Sequence, residues 1–104
     1  METTMTEKYV PNGKPLNAHE RELLIILMEE CGEVVQAASK LLRFGKENRP
    51  DSGESNSRVL GLECGDLEHM VARIAMQGII SMDDLRDGDM RKSERLECYL
   101  QTDR

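Results

Sequence analysis

The chain has 104 residues, three cysteines, no tryptophan and 3% aromatic residues, and 20 acidic against 14 basic side chains give it a formal net charge of −6. That length supports one domain with a modest core, while the acidity and the scarcity of rings exclude a broad nucleic-acid-binding surface or a stacking platform for single strands. Three cysteines with no Cys-x-x-Cys pair exclude a disulfide framework and a zinc knuckle. An anionic small molecule remains open as a ligand, provided that a cation bridges it to so acidic a protein. No apolar run approaches the roughly 20 residues of a membrane span, and Met1 to Val10 lack the apolar core of a signal peptide. The expectation is a cytoplasmic protein with reduced thiols and neither membrane nor nucleic acid as partner.

Residues 1–16 read as a flexible arm, punctuated by Pro11, Gly13 and Pro15, and residues 17–104 as a single domain. Asn17 followed three residues later by Glu20 signals a helix start. From Ala18 to Phe44 there is no proline, and Leu24, Leu27, Met28, Cys31, Val35, Ala38 and Leu42 recur at helical spacing. Gly45, after the basic Lys40 and Arg43, ends this first helix. Gly45 to Ser57 is rich in turn formers and reads as a loop. A second helix runs from about Arg58 to Gln77, with a stripe of Leu60, Cys64, Leu67, Val71, Ile74 and Ala75. Ser81 with Asp84 opens a third, carrying Leu85, Leu96, Tyr99 and Leu100, with Gly88 as a weak point. No useful length alternates with period two. The predicted fold is all-α, a helical bundle of two long helices plus a shorter C-terminal one, its four-helix core completed by oligomerisation.

Two segments repeat a pattern: Glu30-Cys31-Gly32-Glu33 in the first helix and Glu63-Cys64-Gly65-Asp66 in the second. Each sets two carboxylates three residues apart, neighbours on one helix face. Each also holds a glycine that costs about 1 kcal/mol relative to alanine. Gly32 and Gly65 therefore predict close backbone approach, with Cys31 and Cys64 as small packing residues. If the helices pack antiparallel, four carboxylates converge beside the shared core, where like charges repel unless protonated or neutralised by a cation. Oxygen-only ligands suit Mg²⁺ or Mn²⁺. The competing reading is a set of ordinary solvated carboxylates, which a single Glu-x-x-Glu usually is. Lys40 lies two turns from Glu33, about 10 Å along the same strip, and Arg43 continues it. Both suit the phosphates of a ligand, and both equally suit the negative end of a helix dipole. Asn56 is either a hydrogen-bonding group for a sugar or base, or an N-cap.

Glu-Glu-x-Gly-Glu on one helix and Glu-x-Gly-Asp on the next resemble the all-α nucleoside triphosphate pyrophosphatase superfamily. The stretch from Gln36-Ala37-Ala38-Ser39-Lys40 through Arg43-Phe44-Gly45, with Asn56 ahead of the second helix, is similar to its short phage-type MazG-like proteins. The likeness spans about Leu23 to Ile74. Its signature falls on Glu30, Glu33, Glu63 and Asp66, which the resemblance implies are metal ligands. It further implies catalytic roles for Glu29, Glu30 and Glu33, with Glu29 as general base or a supporting contact, and substrate contacts from Lys40, Arg43 and Asn56. The spacer between Glu33 and Glu63 is longer than the compact family form. The implied activity is Mg²⁺-dependent hydrolysis of a (d)NTP, with a purine such as dGTP or dATP preferred, to the monophosphate and pyrophosphate. The implied assembly is a homo-oligomer, either a dimer or a dimer of dimers.

Two rival readings carry distinct signatures. A carboxylate-bridged di-iron bundle wants Glu-x-x-His on two helices; Asp66 with His69 gives one Asp-x-x-His, His19 has no such partner, and the helical angle turns His69 away from the apolar stripe. A non-catalytic dimerisation or nucleotide-sensing module would keep the fold and lack turnover.

Overall fold

The structure, a computed structural model, describes residues 13–48 and 53–102. Helix α1 spans Ala18–Phe44. It opens on a reciprocal cap: the Glu20 N–H donates to Asn17 Oδ1 at 2.8 Å, and the Asn17 N–H donates to Glu20 Oε1 at 2.9 Å, so two otherwise orphaned donors are satisfied. It closes at Gly45, whose φ of +87° is left-handed backbone that a side chain would strain; the Gly45 N–H donates to the Leu41 carbonyl at 2.9 Å. Helix α2 spans Asn56–Met76, two residues earlier than its sequence predicts. Its cap is Ser55, whose Oγ accepts from the Arg58 N–H at 3.2 Å. Gly78, at φ +79°, ends it with two bonds, Gly78 N–H to the Ala75 carbonyl at 3.0 Å and Ile79 N–H to the Ile74 carbonyl at 3.2 Å, the Schellman arrangement. Helix α3 spans Met82–Tyr99 and starts where predicted, with Ser81 Oγ accepting from the Asp84 N–H at 3.0 Å. It runs unbroken through Gly88. The fold is all-α. The N-terminal arm falls outside the described residues as far as residue 12; residues 13–16 are exposed and non-helical.

Helices α1 and α2 form an antiparallel hairpin. The start of α2 bonds the end of α1, the Asn56 Nδ2 donating to the Gly45 carbonyl at 3.2 Å, and the carboxylates at the midpoints of the two helices lie within reach of one another. The core between them is Leu23, Ala37 and Ile74, with Leu27, Val34, Leu41, Leu60, Leu67 and Val71 half-buried. Ile74, at 1% exposure, is the most enclosed, worth about 1.5–3 kcal/mol of burial. The α2 stripe is the one its sequence predicts. The α1 stripe is so only in part: Leu24, Leu27 and Ala38 are half-buried, but Met28, Cys31, Val35 and Leu42 are exposed, and Leu23, Val34, Ala37 and Leu41, outside the expected stripe, are the buried or half-buried ones. Apolar residues occupy two rows of α1, so spacing alone does not select the row that meets its neighbour.

Helix α3 packs lengthwise against neither partner and holds no fully buried residue. The radius of gyration is 18.3 Å, against about 13 Å for a compact chain of this length. The protomer is open. A Cβ added at Gly32 or Gly65 would meet nothing within 4 Å, so neither glycine serves a close approach between α1 and α2, contrary to the sequence expectation. Nothing among the described residues explains Gly65.

Candidate metal centre

Four carboxylates come from the middle turns of the hairpin, where the absence of proline and the three-residue spacing hold each pair on one side of its helix. Glu30 and Glu63 are half-buried at the edge of the α1–α2 contact, and Asp66 and Glu33 are exposed beside them. One oxygen from each of Glu30, Glu63 and Asp66 lies within 4.8 Å of the others. Glu33 flanks this trio closely enough to act on Glu63. Partial burial raises the Glu63 carboxyl above the ordinary carboxylate range, and the charges of Glu33, Asp66 and Glu30 add to it in that order. Glu63 is therefore the group on which the other three converge.

Among the described residues no basic side chain is paired with this cluster. Between Glu22 and Lys40 on α1, and between Arg58 and Arg73 on α2, the sequence contains no lysine or arginine. Among the described residues, the ion pairs are Arg58 with Glu54 at 2.6 Å and Arg86 with Asp83 at 3.6 Å. Both are exposed and local, and neither reaches the cluster. Two or more carboxylates facing each other without a cation repel, and an oxygen-only donor set of this kind fits a hard divalent ion such as Mg²⁺ or Mn²⁺. The residues present thus fit the metal that the sequence implies.

The remaining sequence candidates fall differently. Glu29 is exposed, about 100° around the helix from Glu30, and is not among the groups that raise Glu63. Lys40 is exposed on the unbroken α1, two turns from Glu33 on the same strip. Arg43 is engaged locally, its guanidinium 5.1 Å from the centre of the Phe44 ring. Asn56 is buried at 6% exposure. It is not the N-cap that its position suggests, because Ser55 takes that role. Its side chain instead ties α2 to Gly45, while its own N–H donates to the Asn48 carbonyl at 3.0 Å and the Ser57 N–H to the Lys46 carbonyl at 3.1 Å. That loop-tying role was missed from sequence; a polar residue one place after a serine cap was its only sign. His69 and His19 are exposed, and the acidic trio contains no histidine. An open cleft of about 460 Å³ lies beside the start of α2, lined by Glu47, Ser55, Ser57, Arg58, Gly61 and Leu62; it contains none of the four carboxylates. No family model, curated protein or solved structure matches the chain.

Proposed function

We propose that the chain is a Mg²⁺-dependent nucleoside triphosphate pyrophosphatase that hydrolyses a (d)NTP, with a purine such as dGTP or dATP preferred, to the (d)NMP and pyrophosphate. The observation that carries this reading is the meeting of Glu30, Glu63 and Asp66 within 4.8 Å, at the midpoint of two helices whose central turns carry no lysine or arginine. Glu30, Glu33, Glu63 and Asp66 would hold the ion, with Mn²⁺ a competent substitute. When bound, the ion supplies neutralisation and orientation of the triphosphate and acidification of a water.

The chain's own residues contribute the rest. Glu30 and Glu63, half-buried on facing helices, fix two donors on rigid elements. Glu33 and Asp66, on the exposed side, face the bulk from which a triphosphate arrives. Glu29 is a candidate proton acceptor only through a movement of its side chain, since it points away from the trio. Lys40, free of any ion pair among the described residues, has the reach to meet the phosphate tail from the Glu33 strip. Arg43 and Asn56 have competing engagements, with Phe44 and Gly45, and are weaker candidates for substrate contact. The partners proposed are the (d)NTP and further copies of the chain in a cytoplasmic setting.

The test is a panel of canonical NTPs and dNTPs with Mg²⁺, Mn²⁺ or EDTA, with pyrophosphate and orthophosphate measured separately. Pyrophosphate release that needs the metal, and that Glu33→Gln and Asp66→Asn abolish with helicity intact, supports the reading. Absence of release across the panel overturns it in favour of a non-catalytic or nucleotide-sensing module.

A further inference from the structure

The face of α1 turned away from α2 carries Ile25, Met28, Gly32, Val35, Ser39 and Leu42. These positions alternate in steps of three and four, the seam spacing of a coiled coil. At 100° per residue the row lies roughly 150° around the helix from the row that meets α2. Its large members are open to solvent: Ile25 at 53%, Met28 at 65%, Val35 at 68% and Leu42 at 89%. An apolar row some 25 Å long is more contiguous than the scattered apolar exposure of ordinary surfaces. Gly32 sits in its middle, with open space where its Cβ would be, although glycine weakens a helix there.

We propose that this face docks on the same face of a second copy of the chain, with the two α1 helices antiparallel about a twofold axis passing near Glu33 and Val34. Antiparallel alignment about that point sets Ile25 against Leu42 of the second copy, Met28 against Ser39, and Gly32 against Val35. In the two inner layers a large side chain meets a small one, and each layer occurs twice by symmetry. Gly32 thereby acquires the role that it lacks inside the protomer, making room for a valine. The flanks agree as well. On one edge of the seam, Glu22 comes beside Arg43 of the second copy, and Glu29 beside Gln36. Parallel alignment stacks Gly32 on Gly32 and Ser39 on Ser39, leaves gaps in both layers, and brings no opposite charges together. The self-complementarity of size and charge is what selects a second copy as the occupant, and antiparallel as its direction. The seam lies on the far side of α1 from Glu30 and Glu63, and although Glu29 and Arg43 flank it, its test reads association and not turnover.

The experiment is sedimentation velocity on the full chain over a micromolar concentration series, with circular dichroism on every variant. Wild type is expected to sediment as a dimer or a larger even-numbered assembly. Val35→Glu, at a position already exposed in the protomer, is expected to yield helical monomer. Glu22→Arg places like charges together and should weaken association about tenfold; adding Arg43→Glu to it should restore the wild-type value. A monomeric wild type, or an assembly indifferent to Val35→Glu, overturns the interface. Failure of Arg43→Glu to restore association overturns the antiparallel direction.

Discussion

Removing the Glu63 carboxylate should have opposite effects on stability with and without Mg²⁺. In metal-free solution the folded chain holds the Glu63 proton to higher pH than the unfolded chain does, because of partial burial and the charges of Glu33, Asp66 and Glu30. Between the ordinary carboxylate value and the raised one the native state binds more protons. Stability is therefore full below that window and falls as pH rises through it. Glu63→Gln removes the titrating group, so in EDTA at neutral pH the variant should melt at or above the wild-type temperature, and the wild-type loss between acid and neutral pH should shrink. With Mg²⁺ the order inverts. A ligand at one hundred times its dissociation constant stabilises the native state by about 2.7 kcal/mol, and at its dissociation constant by only about 0.4 kcal/mol. If loss of one ligand weakens the ion by about a hundredfold, the two proteins differ in their response by roughly 2.3 kcal/mol, or roughly 9–18 °C in Tm at this chain length. The assay is thermal unfolding by circular dichroism from pH 4 to 8, in EDTA and in Mg²⁺, at fixed protein concentration. The Mg²⁺ increment should fade as pH falls through the Glu63 window, since protons and cation compete for the same oxygens. A wild type whose Tm ignores Mg²⁺ at neutral pH, or a Glu63→Gln variant with the wild-type increment, refutes the reasoning.

Other consequences are cheaper to check. Ile74→Ala empties the most enclosed position of the α1–α2 contact and should cost about 2–5 kcal/mol, seen as a lower midpoint in urea with little change in slope. Asn56→Ala cuts the tie to Gly45 and should cost about 1 kcal/mol, with faster amide exchange at Ser57, whose partner is the Lys46 carbonyl. Lys40→Ala should raise KM for the nucleotide and leave Mg²⁺-induced stabilisation unchanged, because the lysine lies two turns from the cluster; an unchanged KM would remove it from the phosphate site.

The helices were legible because their ends are chemically marked. Asn17 with Glu20, Ser81 with Asp84, and Gly45 each satisfy specific backbone groups of their own, and such signals are local. The second start was read two residues late because Ser55, Asn56 and Ser57 all carry side chains able to cap, and only the fold decides which is extended. The carboxylate constellation was legible for a similar reason: three-residue spacing fixes two groups on a face whatever else happens. Which face of α1 meets α2 was not legible. Leu23 and Ala37 belong to one row and Met28, Val35 and Leu42 to another, and both rows have helical periodicity. Gly32 misled for the same cause, since it belongs to the outward row and faces open space rather than α2.

The treatment of charge along the chain bears on whether the cluster is incidental. Elsewhere among the described residues, arginines answer some acidic side chains three or four residues away, as Arg58 does Glu54 and Arg86 does Asp83. Such exposed pairs are worth little each. In the central turns of α1 and α2 the matching stops, although a Lys or Arg at the exposed Gln36, three residues after Glu33, would place a cation one turn from it. A hairpin in which only Leu23, Ala37 and Ile74 are fully buried apolar residues among those described has little stability with which to tolerate repulsion at its midpoint. On the proposed reading a divalent cation relieves that repulsion, and the coordination positions that the carboxylates leave open are where a triphosphate would bind in place of water.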